Sequence, residues 1–334
     1  MKKVFIYFFV FLLVFFLLPA FFTKKNVEAK VSNNKEINTT EEEKVENYDY
    51  KNYGSIKLLH TKTGEVEEVP IDTYLVNVVS AEMPADFEIE ALKAQAVVAR
   101  TYTIYKIQNK KHENADICDD SACCQAWVSK EERFARWEES VRESNWQKIE
   151  QAVNETKGKI ITYEGKPINA FFHSNSGGKT EIPVNVWGGT GYPYLQVVET
   201  SGEDNYTQYN SEVVLSNEEL LEKLKVNYSD ISIDFNNNDD LKILEYTDSG
   251  RVKTVKFGNH NLSGTETRSL LGLRSTNFEI IKENGNIKFS VKGYGHGVGM
   301  SQTGANTLAK EGKSYEDIIN HFYIGVVIQD VNNL

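Results

Sequence analysis

The sequence predicts an α+β fold: a single domain of mixed helices and hairpins around a central buried helix, with a substrate groove, after one N-terminal transmembrane helix. Three observations carry that expectation. Residues 87–107 are Ala-rich and, beyond Glu88 and Glu90 in the first turn, uncharged apart from Lys93, Arg100 and Lys106, and a helix apolar on most sides belongs at the centre of a core. Paired strand-like runs around short turns occur on both sides of it, and helices mixed with hairpins define an α+β architecture. Residues 4–22 carry no charge and match the length a helix needs to cross a bilayer.

The elements follow in order. Residues 1–23 read as an uncleaved signal anchor, because the apolar run is long and no clean small-x-small cleavage site follows it. Residues 24–52, rich in Asn, Glu, Lys and Thr, read as a flexible linker. The working domain then spans 53–334 and faces outward from the cell membrane. Residues 55–60 and 65–69 flank Thr61-Lys62-Thr63-Gly64 as a hairpin. Pro70 opens a helix over 71–80, and Pro84 breaks the chain before the central helix, for which Asp86 is the expected N-cap. Residues 109–127 form a polar loop, 130–156 one long charged helix, and 159–172 a hairpin turning at Glu164-Gly165. Loop signals fill 174–194, and the Asn/Asp-rich stretch 201–240 reads as a peripheral excursion around a short helix at 216–225. Strands at 241–247, 251–257, 278–283 and 286–292 precede helices at 301–311 and 314–322.

Composition removes several function classes. In 334 residues, 48 acidic side chains face 37 basic ones, a net charge of −11, and nucleic-acid binding needs clustered Lys and Arg. Three cysteines are too few for a disulfide scaffold. One long apolar run excludes a multi-pass membrane protein.

Five groups of residues have chemical potential. Glu82, in Ser80-Ala81-Glu82-Met83-Pro84, sits at a corner between two helices, where burial raises a carboxyl pKa toward that of a general acid; a plain helix-corner residue is the structural alternative. Arg100 lies inside the apolar helix, where a buried guanidinium needs a partner, either a structural carboxylate or a ligand. The segment Gly293-Tyr294-Gly295-His296-Gly297-Val298-Gly299-Met300-Ser301-Gln302 lacks the features of a nucleotide-binding loop. It fits a groove floor with His296, Ser301 and Gln302 toward a polar ligand, or a tight structural crossing. His112, Cys118, Cys123 and Cys124 fit two arrangements, a zinc site of His112, Cys118 and Cys124 or a disulfide from Cys118. His173-Ser174-Asn175-Ser176-Gly177-Gly178 is a polar loop after an apolar strand. A thiol–imidazole pair of Cys123 with His173 is disfavoured by the acidic surroundings of the cysteine.

Taken together, Ser80-Ala81-Glu82-Met83-Pro84, the run Glu90 to Tyr102, His173-Ser174-Asn175-Ser176-Gly177-Gly178 and the Gly293 to Ala305 segment resemble, in that order, the stage II sporulation protein D family. The resemblance implies a lytic transglycosylase of peptidoglycan. Glu82 would protonate the glycosidic oxygen between N-acetylmuramic acid and N-acetylglucosamine and then deprotonate the muramic C6 hydroxyl, giving a 1,6-anhydro end without a second carboxylate. Arg100, His173, Ser174, Asn175, His296, Ser301 and Gln302 would bind the strand. It also implies work during engulfment on peptide-stripped strands, with an amidase (stage II sporulation protein P) and a membrane scaffold (stage II sporulation protein M) as partners, and it favours a structural zinc. A non-catalytic amidase enhancer that binds glycan is the alternative the same resemblance allows.

Overall fold

A helix with small residues on every side can be approached closely from all directions. In the computed structural model, which describes residues 48–283 and 285–334, the 20-residue Ile89–Gln108 helix is packed in this way. The helices Ile71–Glu82, Glu139–Glu155, Gln302–Lys310 and Tyr315–Phe322 and the strand Lys159–Tyr163 surround it. Leu92, Ala96, Val97 and Ala99 are fully buried against Val78, Val79, Ile149, Val153 and Ile161. Pro70 precedes the first of these helices, and its extended backbone (φ −55°, ψ 135°) turns the chain out of strand Val66–Pro70. That strand pairs antiparallel with Ser55–Leu59, which also runs parallel to the short strand Ile117–Cys118. Lys159–Tyr163 is flanked by Lys166–Pro167 and the C-terminal strand Val327–Asp330. Phe172–His173 runs parallel to Met300–Ser301, and this pairing brings the 173–178 loop beside the Gly-rich segment.

Several expectations are corrected. A second hydrophobic cluster, centred on Leu220, Leu224, Val255, Phe257 and Phe289, makes the fold α+β with two cores rather than one. The 201–240 stretch is therefore no peripheral excursion. Its strand Asn210–Ser216 completes an antiparallel sheet with Asn286–Lys292 and Asn277–Glu283, and its helix Asn217–Lys225 buries Leu220 and Leu224. The strand His260–Ser263 and helix Gly264–Leu271 were not foreseen, being short and largely polar. The long charged helix breaks into Lys130–Phe134 and Glu139–Glu155, and the break lets Phe134 meet both Trp137 and Trp146. Glu88, not Asp86, occupies the N-cap position of the central helix, and its side chain makes no capping hydrogen bond. The end of the expected linker is folded onto the domain, where the hydroxyl of Tyr50 donates to Asp72. The expected membrane span, 4–22, lies outside the described residues, and among the described residues no helix is long and apolar enough to cross a membrane. The single-pass, outward-facing arrangement accordingly finds no support among the described residues.

Two buried charges tie these layers together. Arg100, 0% exposed, donates from Nη1 to the carbonyls of Thr156 (2.7 Å) and Lys159 (3.2 Å), and from Nη2 to Val153 (3.3 Å) and the Asp72 carboxylate (3.4 Å). It closes the C-terminal end of the Glu139–Glu155 helix, whose last carbonyls have no helical partner. Glu203, 1% exposed, accepts from the Ser176 and Gly178 amides and from the hydroxyls of Ser176, Thr200, Ser301 and Thr303. Burial alone would raise its pKa; these donors outweigh burial and hold it below the usual carboxylate range.

Arg100→Met should lower unfolding stability by about 3 kcal/mol in urea titrations, because several carbonyls and Asp72 lose their donor together; an unchanged midpoint would remove Arg100 from its structural role. Glu203 has a lowered folded pKa, so its stabilisation is present above its unfolded value and disappears as the pH falls through the folded value. Glu203→Gln should therefore cost about 2 kcal/mol above roughly pH 5 and progressively less in acid. Parallel stability–pH curves for the two proteins would contradict this.

Candidate functional site

Glu82 is the last residue of its helix, and Met83 behind it is extended (φ −119°), as Pro84 requires. Its two carboxylate oxygens accept from separate parts of the chain. Oε1 takes the Ala126 amide at 2.8 Å, and Oε2 takes Gln302 Nε2 at 3.2 Å. Burial raises the pKa of Glu82, opposed by these two donors. Gln302 is placed by its own helix, whose N-cap Ser301 accepts from Gly304.

Glu82 stands where two cavities meet, of about 370 Å³ and about 1030 Å³, which share Ala81, Glu82, Ser174 and Gln302 as walls. The smaller continues past Asp86, Arg133 and Trp137, and the larger past the Cys123–Cys124 loop to His173, Trp187, Arg268 and His296. Together they form an open groove across the domain. His173 is 5% exposed; its Nδ1 lies 3.1 Å from the Val298 carbonyl, so Nδ1 carries the proton, and Nε2 has no partner. Burial, with the Arg251 charge nearby, lowers the pKa of this imidazole to about 3. Burial, with the neighbouring His173 and Arg268, also keeps His296 well below its usual range. Both rings are neutral hydrogen-bonding groups at physiological pH.

Glu82, His173, Ser174, His296 and Gln302 thus come together, and three expected site residues do not. Arg100 closes the C-terminal end of the Glu139–Glu155 helix and lines neither cavity. Asn175 is fully buried and donates to the Glu203 carbonyl (3.3 Å) and the Thr303 hydroxyl (2.9 Å). Ser301, also fully buried, donates to Glu203. All three hold the site's frame. The Gly-rich segment is a close crossing: a Cβ on Gly299 would sit 1.9 Å from the Phe171 carbonyl, and one on Gly297 would sit 2.6 Å from Arg251 Nη2. Sequence reasoning missed Trp187 and Arg268 because both lie outside the recognisable motifs; the dipeptide Gly188-Gly189 after Trp187 was the available signal.

The His/Cys loop forms a cluster. Ligand atoms of His112, Cys118, Cys123 and Cys124 all lie within 4.8 Å of one another, and the thiols are free. His112 Nε2 is 3.6 Å from Cys123 Sγ and 3.5 Å from Cys124 Sγ, and the two sulfurs are 3.8 Å apart. Tetrahedral coordination, with metal–sulfur bonds of about 2.3 Å and metal–nitrogen bonds of about 2.0 Å, sets separations of roughly 3.8 Å between sulfurs and roughly 3.5 Å from sulfur to nitrogen. The residues fit a chelated metal ion. Cys123, left out of the expected zinc site, belongs to the cluster.

Comparison with known proteins places this geometry. The Stage II sporulation protein family (SpoIID) matches residues 59–163, the stretch that holds Glu82 and the His/Cys cluster. The chain is 36% identical over 283 residues to Stage II sporulation protein D of Bacillus amyloliquefaciens, covering 84% of this chain and 80% of the relative. It is 36% identical over 281 residues to the protein of that name in Bacillus subtilis (strain 168), covering 83% and 80%. A Bacillus subtilis (strain 168) protein named Amidase enhancer is 31% identical over 303 residues, covering 76% of this chain and 40% of that protein. That name speaks of enhancing an amidase and not of breaking a sugar bond. The expectation of a lytic transglycosylase is corrected on this finding. Four motifs in one frame, and relatives matched over most of their length, make the chain a member of the stage II sporulation protein D family.

Proposed function

We propose that the chain binds glycan strands of peptidoglycan in the Glu82 groove and so assists a peptide-stripping amidase during sporulation. The observation that carries this reading is the groove itself, open along its length, with neutral hydrogen-bonding groups (His173, His296, Gln302) and exposed aromatic faces on its walls. Sugars are bound by such mixtures of polar groups and flat apolar faces. The relative named Amidase enhancer supports the choice of partner; stage II sporulation protein P is the first amidase to test, with stage II sporulation protein M as scaffold. In this reading Glu82, its pKa raised by burial, contributes its carboxyl to the contact with a sugar, as a donor when protonated.

We further propose that His112, Cys118, Cys123 and Cys124 hold zinc, the ion suited to thiolate and imidazole donors. Four protein ligands leave no open position, so the ion would brace the loop. Ala126, two residues beyond Cys124, donates to Glu82, and Gln125 donates to the Tyr74 and Thr103 hydroxyls at 2.8 and 3.0 Å.

Calorimetry with amidase-treated strands should show binding by wild type and by Glu82→Gln alike, with strand masses unchanged by either. Strands cut to anhydro ends by the wild type and not by the variant would overturn the reading. Binding that depends on the protonated carboxyl persists below the raised pKa and weakens, by about threefold to tenfold, as the pH rises through it, while Glu82→Gln stays flat; a flat wild-type profile would take Glu82 out of the contact. For the cluster, elemental analysis should find about one zinc per chain, and chelation should lower the melting temperature by several degrees. Cys123→Ser should weaken zinc affinity at least tenfold, and a disulfide from Cys118 in metal-free protein would refute the assignment.

A further inference from the structure

The central helix holds one side chain whose presence the fold alone does not account for. Gln95 is 0% exposed and lies between Ala91 and Ala99, each one turn away on the same helix and fully buried. An unpartnered amide N–H at such a depth is costly, and Gln95 Nε2 has no partner among the described residues. A methionine has the same unbranched reach and carries no such cost. The Gln95 amide makes a single hydrogen bond, in which its Oε1 accepts from Gln302 Nε2 at 3.5 Å. That bond ties the core helix to the groove.

The Gln302 amide has two N–H groups, and both are directed. One goes to Glu82 Oε2 at 3.2 Å and the other to Gln95 Oε1. An ionised carboxylate accepts only, so Gln302 turns Nε2 inward, and Nε2 then requires an oxygen from Gln95. Both bonds of the Gln302 side chain thus run through Nε2, which leaves Oε1 as an acceptor on a residue that lines both cavities. The two anchors differ in kind. Glu82 stands in the groove, where water and ligand compete for its oxygens, whereas Gln95 lines neither cavity and keeps its bond. We propose that Gln95 is a positioning residue: from inside the core it holds the Gln302 amide in one orientation, so that a sugar hydroxyl meets an acceptor there whatever else binds Glu82. The proposal rests on the glycan-binding reading and adds to it a residue that no ligand touches.

The test is a double-mutant cycle, read by calorimetry with amidase-treated strands on wild type, Gln95→Met, Gln302→Ala and the double variant. Gln95→Met should weaken binding about fivefold and Gln302→Ala about tenfold. The double variant should match Gln302→Ala, because Gln95 acts only through Gln302. Urea titration of Gln95→Met should show an unchanged or higher midpoint, the opposite of what a packing role requires. Losses that multiply in the double variant, or wild-type affinity in Gln95→Met, overturn the proposal. If Gln95→Met does not fold, Gln95→Asn, one methylene too short to reach Gln302, takes its place in the cycle. Hydrogen exchange at the Gln302 side chain, followed by NMR without ligand, separates this proposal from the glycan reading. The Nε2 protons should exchange about tenfold faster in the Gln95 variant than in wild type. Equal exchange overturns the positioning role even where strands bind. Faster exchange with no strand bound by any of the four proteins upholds the positioning of Gln302 and overturns the glycan reading.

Discussion

A buried carboxylate is tolerated only where hydrogen bonds replace the water it loses, and Glu203 meets that condition with donors from three distant stretches of chain. Ser176 and Gly178 come from the loop after Phe172–His173, Thr200 from the segment before Glu203, and Ser301 and Thr303 from the start of the Gln302–Lys310 helix. Each stretch would be a surface loop on its own. Pulled onto one charge, they hold a common position, and Asn175 adds a further link to Thr303. The Gly-rich crossing depends on this arrangement, because Arg251, beneath Gly297, donates to the Ser176 carbonyl in the same knot.

The groove is the product of two such fixings on opposite sides of Glu82. From one side the Glu203 knot sets the helix start that carries Gln302 to Glu82 Oε2. From the other the His/Cys cluster ends just before Ala126, whose amide reaches Oε1. Glu82 itself contributes little to this geometry, being a helix-terminal residue with a proline two positions later. The strongest buried polar groups behind the groove, Glu203 and Arg251, hold the loops that form it. What faces the groove is milder: two neutral imidazoles, an amide, a carboxyl with a raised pKa and aromatic faces. Such a surface is suited to holding a polar backbone along its length, with charged side chains toward both ends, Asp86 and Arg133 on the smaller cavity and Lys106 and Arg268 on the larger.

The places where the chain departs from a reading of its sequence have identifiable causes. The stretch 201–240 is polar overall, but the apolar residues that matter, Leu215, Leu220 and Leu224, are spaced so that they all meet Phe289 and its neighbours from another part of the chain. Composition averaged over forty residues conceals three well-placed leucines. The charged helix expected over 130–156 has unbroken helical propensity, and it breaks because a cluster of Phe134, Trp137 and Trp146 is reached only if the chain turns there. Cys123, left out of the expected zinc site, joins the cluster because the loop brings its sulfur within 3.8 Å of Cys124 Sγ and 3.6 Å of His112 Nε2.

The sequence by itself determined the α+β class, the central helix, the corner that bears Glu82 and the two polar, Gly-rich segments of the groove, because these rest on local signals: alanine runs, prolines, glycines and short polar motifs. It also marked His112 and the cysteines as a group, since they lie within thirteen residues of one another. Only the tertiary structure decided which polar residues face a ligand and which hold the frame. Arg100, Asn175 and Ser301 belong to recognisable motifs and are buried, while Trp187 and Arg268 belong to none and line the groove. A side chain's partner is set by what the fold brings within about 3 Å of it, and residues such as Ser301 and Glu203, 98 positions apart in the chain, acquire that proximity only when every layer between them is in place.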